Sequence, residues 1–244
     1  MDLSQWKRVV IKVGSALIAP HRKGCSSHYL LSIAQFIVRL RANGVQVVLV
    51  SSGSVAAGAH LFPETDNVDI ALKKAMAAAG QTEMMATWDR LFDFPTAQIL
   101  LTHGDLRDRE RYVSIRETIF SLLNNGVLPI INENDTVTTD DLKVGDNDNL
   151  SNPNIHDDAV LLPEVTTIDS RIFAMGGGAT SAVGTGGMKT KIEAAEKATS
   201  HGIDTFIVNG FKSASFNSLL EGKNPGTFFR PYAKPMQEHD HWMR

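Results

Sequence analysis

The sequence predicts an α/β fold, a three-layer α/β/α sandwich around a mostly parallel central sheet, and three observations predict it. Short β-branched runs alternate with segments whose apolar residues recur at helical spacing, the alternation that builds a parallel sheet with helices on both faces. The second of these runs, Val45 to Val50, is too apolar throughout to be half exposed, as expected of a parallel strand buried on both sides. Each polar, glycine-rich segment falls where a strand ends, and open α/β sheets bind their ligands outside the carboxyl ends of the strands.

The elements follow in order. Val9-Val10-Ile11 reads as a strand, Leu30 to Leu40 as a helix with Gly44 at its C-cap, and Val45 to Val50 as the next strand. A long helical stretch, Asp69 to Leu91, leads to a strand at Ala97 to Leu101. A helix from Arg116 to Leu123 then ends near Gly126, and a strand runs from Val127 to Ile131. The second half is less regular. Asp158 to Val165 reads as strand or loop, Met188 to Ser200 as a helix and Thr205 to Val208 as a short strand. The stretch from Gly222, with Pro225, Pro231 and Pro235, reads as irregular structure closing the domain. No internal repeat or linker divides the chain.

Composition narrows the partners. With 24 Lys and Arg against 27 Asp and Glu among 244 residues, a net charge of -3 offers no bulk attraction to nucleic acid or an anionic membrane. The charged stretch Arg107, Arg109, Arg111 and Arg116 reads as a solvated face or subunit contact. Cys25 is the single cysteine, which excludes an internal disulfide and argues against a thiolate metal cluster, as expected in a reducing cytoplasm. Met1 to Arg8 is polar, and no apolar run approaches the roughly 18 residues of a membrane span. The expectation is a cytoplasmic protein whose partner is a small molecule.

Four segments carry the chemistry. Lys12-Val13-Gly14-Ser15 puts a cation and a glycine at the end of the first strand, where the backbone can approach an anion; a surface lysine beside a turn reads the same way. Ser51-Ser52-Gly53-Ser54-Val55-Ala56-Ala57-Gly58 leaves backbone N–H groups free at a helix start, suited to carboxylate or phosphate, although a serine-capped turn also fits. Asn132-Glu133-Asn134-Asp135 and Gly145-Asp146-Asn147-Asp148-Asn149-Leu150 offer amide donors and carboxylate acceptors for a zwitterion, or else ordinary Asx turns. Gly184-Thr185-Gly186-Gly187-Met188-Lys189-Thr190-Lys191 is a flexible backbone entering a helix with two lysines in its first turns, a phosphate cradle that has neither Walker A nor G-x-G-x-x-G spacing.

Taken jointly and in this order, these strings resemble the amino-acid-kinase family over nearly the whole chain. Their wording is similar to the branch that phosphorylates the side-chain carboxylate of free L-glutamate; acetylglutamate, aspartate and uridylate kinases share the architecture but differ in these words. The resemblance implies the amino-acid-kinase fold and ATP-dependent formation of γ-glutamyl phosphate, the first step of proline biosynthesis. Residue by residue, it implies that Lys12 and Lys191 contact the transferring phosphoryl group and that Asp148 orients these lysines. Ser52, Gly53, Asp135 and Asn147 would hold glutamate, with Asp135 facing its α-ammonium group. Lys12, Gly14 and the run Gly184, Thr185, Gly186, Gly187, Met188, Lys189, Thr190 and Lys191 would lie along ATP, with Mg²⁺ carried in on the nucleotide and no metal site of the protein's own. Proline would inhibit by feedback from the glutamate pocket, and the chain would form a homodimer or homotetramer. The expectation is one amino-acid-kinase domain over 1–244, without the small RNA-binding-like module called PUA. A kinase of another or an acylated amino acid, and a catalytically silent ligand-binding relative, remain the alternatives.

That chemistry needs little else. A carboxylate nucleophile is already ionised at pH 7, so no general base is required and no Ser-His-Asp or Cys-His set is expected. Two anions must be brought together, which calls for lysines and a magnesium ion. One departure stands out: the family follows the Asp-Asn-Asp-Asn-Leu string with a helix and an apolar strand, whereas here Leu150-Ser151 runs straight into Asn152-Pro153. Loss of an interior strand would leave backbone groups unpaired, so the expectation is that residues are missing between Ser151 and Asn152, which would then lie farther apart than roughly 3.8 Å.

Overall fold

A computed structural model describes residues 5–138, 161–176 and 187–234. The Ser151–Asn152 junction lies outside the described residues. The chain divides into two compact units, one of Met1–Val144 with Gly210–Phe216, the other of Gly145–Asn209 with Asn217–Arg244.

In the first unit β1 (Arg8–Val13) leads through a short turn of helix, α1 (Ser15–Ile18), to α2 (Leu30–Ala42) and β2 (Gln46–Ser51). The five-residue α3 (Ser54–Gly58) and the long α4 (Ile70–Asp89) precede β3 (Thr96–Leu101). Next come α5 (His103–Arg107), α6 (Arg109–Asn124) and β4 (Leu128–Glu133). The four strands form one parallel sheet in the order β1-β2-β4-β3. The steps β1 to β2 and β3 to β4 run in opposite directions across it, so right-handed crossovers put α2 and α6 on opposite faces, giving the expected helix–sheet–helix layering. In β2, flanked by β1 and β4, the consecutive residues Val47, Val48 and Leu49 are all buried, the mark of a strand covered on both sides. Leu30, Ile33, Ile37 and Leu40 of α2 recur every three or four residues and are all buried, each contributing roughly 1.5–3 kcal/mol of transfer free energy. Pro129 is tolerated in a central strand because the pairing of β4 with β2 starts one residue later, at Leu49↔Ile130.

The helix expected from Arg116 begins at Arg109 instead. Its first turns are too polar to show a buried periodicity, and the start is set by Asp108, whose carboxylate accepts the Arg111 N–H at 2.9 Å.

The second unit holds β5 (Glu164–Val165), α7 (Ser170–Met175), α8 (Met188–Ser200) and β6 (Thr205–Ile207). They are followed by α9 (Ser213–Leu220), whose first half belongs to the other unit, and by β7 (Thr227–Phe229). The expectation of irregular structure after Gly222 is corrected here. Thr227-Phe228-Phe229 is the middle strand of a three-stranded sheet, parallel to β5 and antiparallel to β6. Apolar burial outweighs the flanking prolines: Phe229 joins the core of Val165, Ile168, Ile192 and Ala195, and Phe228 stacks on Phe206 at 4.7 Å.

Two glycines set the packing of α3 on α4. A Cβ at Gly80 would lie 1.9 Å from the Ser54 carbonyl oxygen, and one at Gly58 would lie 2.0 Å from that of Met76. The helices therefore touch backbone to backbone, and α4 is itself anchored by buried Met76, Ala77, Met84 and Trp88. Gly80→Ala must push the helices apart; we expect a loss of about 1–3 kcal/mol, read as a lower urea midpoint at unchanged m-value. An unchanged midpoint would show that the contact is looser than described.

Candidate active site

The carboxyl ends of β1, β2 and β4 bring two of the four sequence segments, and the Asn132–Asp135 half of a third, together within the first unit. The backbone N–H of Ser52 donates to the Val13 carbonyl at 3.0 Å, tying the end of β2 to the end of β1. Gly53 then adopts φ +111°, a left-handed conformation that L side chains avoid, and a Cβ there would also come within 3.1 Å of Ser15 Cα and Ile18 Cβ. The turn after β1 and the turn after β2 are thus in direct contact. From the next residue, Ser54 Oγ donates to Asp135 Oδ2 at 2.6 Å, which draws in the segment after β4.

Lys12 stands beside this convergence, near the end of β1 and paired in register with Val50. It is exposed, and no hydrogen bond or ion pair engages its side chain among the described residues. Gly14 is the N-cap of α1 with open space around it, so its backbone is accessible. Ser52, Gly53 and Asp135 are half-buried. Asn132 is committed to the framework: its Nδ2 donates to Gln81 Oε1 at 2.9 Å, and Gln81 Nε2 donates to Gln98 Oε1 at 3.0 Å. Ser51 points inward and accepts from Trp88 Nε1 at 2.9 Å. Sequence reasoning missed Ser54 as the partner of Asp135 and Gln81 as the partner of Asn132. No local pattern links positions so far apart.

In the second unit Gly187 is the N-cap of α8, with Lys189 and Lys191 exposed in the first turns. Thr190 Oγ1 donates back to the Gly187 carbonyl at 2.7 Å, and the Met188 side chain packs on the apolar core. Met188 can therefore offer a ligand its backbone rather than its thioether. Gly184, Thr185, Gly186, Asn147 and Asp148 lie outside the described residues.

An open pocket of about 510 Å³ lies beyond β3 and β4, lined by Thr102, His103, Gly104, Asp105, Arg111, Asn134, Val137 and Thr138. It contains none of Lys12, Ser52, Gly53 or Asp135. Its charged residues are closed on each other: Arg111 meets Asp105 at 2.9 Å, and hydrogen bonds from Thr102, then Arg111, hold the Asp105 carboxyl below the usual carboxylate range. The convergence at the strand ends, with its available cation, is the stronger candidate for chemistry.

Residues 7–152 match the amino acid kinase family. This chain belongs to the amino acid kinase family. Within that family it is 66% identical to "Glutamate 5-kinase 1" of Pseudoalteromonas translucida (strain TAC 125), over all of this chain and 73% of that protein. It is 52% identical to "Glutamate 5-kinase" of Idiomarina loihiensis, over all of this chain and 72% of that one. A UMP kinase from Bacillus anthracis matches in structure with a TM-score of 0.57 at 14% identity, covering 93% of this chain and 97% of that chain, a likeness of fold. The alignment with the Pseudoalteromonas protein runs to 267 positions against 244 residues here, so that protein carries residues with no counterpart in this amino acid kinase. The family match ends at 152, beside the Ser151–Asn152 junction.

No helix among the described residues is long and apolar enough to cross a membrane. The one thiol of this amino acid kinase is poorly suited to nucleophilic work. Burial, and then the charge of Glu83, pushes Cys25 up to about 11. Against an ordinary value of 9.0, its thiolate at pH 8 is about a hundredfold scarcer. We expect iodoacetamide to alkylate Cys25 at pH 8 at least tenfold more slowly in the folded protein than in urea, followed by mass spectrometry. Equal rates would contradict the burial.

Proposed function

We propose that this chain transfers the γ-phosphoryl group of ATP to the side-chain carboxylate of L-glutamate, forming γ-glutamyl phosphate for proline synthesis, with the whole 244-residue chain serving as the kinase domain. What carries the reading is the identity of 66% and 52% to relatives named for that activity, each aligned over the full chain. The strand-end geometry supplies matching chemistry. Asp135 is proposed to face the α-ammonium group, and Ser52, Gly53 and Asn147 to hold the rest of the amino acid. Glutamate's own carboxylate attacks phosphorus as an ionised nucleophile, so the protein has to position and to neutralise charge rather than remove a proton.

Each unit offers cations of the kind that a nucleotide's phosphates require. Lys12 is an exposed cation with no described partner, and Lys189 and Lys191 are exposed behind the Gly187 backbone. Lys12 and Lys191 are the groups to contact the transferring phosphoryl, with Asp148 orienting them and Gly14 and the Gly184–Lys191 run along the phosphates. Mg²⁺ carried in on ATP would supply further positive charge beside the lysines. Proline, another zwitterionic amino acid, is proposed to compete in the same pocket. The chain is proposed to act as a homo-oligomer, a reading supported by α6, whose apolar residues Val113, Ile115, Ile119, Leu122 and Leu123 are only half-buried and whose Phe120 is exposed.

Hydroxylamine converts an acyl phosphate to a stable hydroxamate, so glutamate should yield ATP-dependent hydroxamate while aspartate and N-acetylglutamate do not. Product from either of the latter instead would transfer the assignment to that substrate, and none from any would leave a silent relative. In the same assay Asp135→Ala should raise the KM for glutamate about tenfold or more and leave that for ATP within twofold. An effect on ATP alone would mean the two pockets are exchanged.

Lys12→Met keeps the apolar stem and removes the charge at an exposed position, so stability should hold. We expect kcat to fall on the order of 10²- to 10³-fold, the scale of losing one preorganised oxyanion donor. A kcat within threefold of the parent would remove Lys12 from the mechanism.

A further inference from the structure

We propose that Ser54 is a positioning residue for the amino-acid substrate, acting through Asp135. Ser54 is 2% exposed, and its hydroxyl donates to Asp135 Oδ2 at 2.6 Å, in the range of about 2.5–2.7 Å for an O–H donor on an ionised carboxylate. A hydroxyl orients a carboxylate without neutralising it, so a negative charge is held in one place for an arriving ammonium group.

Ser54 can do this because its own position is fixed from two sides. On one side Gly53, at φ +111°, turns the chain out of β2 and aims the first residue of α3 toward the end of β4. On the other, the Ser54 carbonyl lies so close to Gly80 that a single added Cβ would come within 1.9 Å, which leaves α3 no room to shift toward α4. The segment bearing Asp135 is tied to the same helix. Asn132 donates to Gln81, the neighbour of Gly80, and the Asn134 N–H donates to the Leu101 carbonyl at 2.7 Å. Thr138 Oγ1 and the Val137 N–H close the turn onto the Asn134 carbonyl at 2.9 and 3.1 Å. With both backbones held, the Ser54–Asp135 bond helps to fix the rotamer of the carboxylate. Preorganising a binding group lowers the cost of binding without entering the chemical step, so its loss should appear in substrate affinity.

The inference rests on the reading of Asp135 as the residue that faces the substrate ammonium, and the experiment separates the two. Hydroxamate kinetics are compared for the parent, Ser54→Ala, Asp135→Ala and the double variant, each with its thermal midpoint. Ser54→Cys, which keeps the side-chain shape with a somewhat larger atom but is a much weaker donor, serves as a second variant. We expect both Ser54 variants to raise the KM for glutamate about three- to tenfold, with the KM for ATP and kcat within twofold. The double variant should be no worse than Asp135→Ala, the non-additivity of residues acting through one contact. A normal glutamate KM in both Ser54 variants, with Asp135→Ala impaired, overturns the inference and leaves the substrate reading standing. A normal KM in Asp135→Ala overturns both. A loss of kcat or of ATP affinity along with the thermal midpoint would assign Ser54 to stability and equally overturn the proposal.

Discussion

Gly58 and Gly80 hold two helix backbones in contact, and the geometry at the strand ends depends on that contact. A five-residue helix such as α3 has no stability of its own, since forming its first turn costs more conformational entropy than its few hydrogen bonds return. It stays in place because α4 presses on it with no side chain between. The consequence reaches the segment after β4 through Ser54, whose carbonyl meets Gly80 and whose hydroxyl meets Asp135. Buried Trp88 secures the other end of the arrangement by donating to Ser51, the last residue of β2.

The polar groups near the site divide by burial. Asn132 and Ser51 are buried and committed to the framework through Gln81 and Trp88, because an amide or hydroxyl out of water must find a partner. Lys12 is exposed and uncommitted, and Ser52, Gly53 and Asp135 are half-buried at the boundary. The buried groups fix the geometry, and the half-buried and exposed ones form its solvent edge. That division suits phosphoryl transfer to a carboxylate, which asks for placement and charge instead of proton transfer.

Periodicity made most of the first unit legible. Val9-Val10-Ile11, Leu30 to Leu40 and Val45 to Val50 became β1, α2 and β2 with boundaries shifted by only a few residues, because burying one face of a helix or both faces of a strand writes a local pattern. The pattern failed where burial is weak or partners are remote. The beginning of α6 is polar and was set by the Asp108 cap, while β7 is three residues long and owes its existence to β5 and β6 on either side.

The sequence by itself determined the family, the order of elements and the location of the polar, glycine-rich segments after strands, since each of these is written in runs of a few to a few tens of residues. Only the tertiary structure decided which residues of those segments meet. Ser54 and Asp135 lie 81 positions apart, and they come together because β4, the last described strand of the first unit, inserts between β2 and β3 in the sheet. That insertion follows from the crossover geometry and the buried faces of the whole sheet, and a hydrogen bond between two short side chains leaves no periodic trace along the chain by which it could have been found.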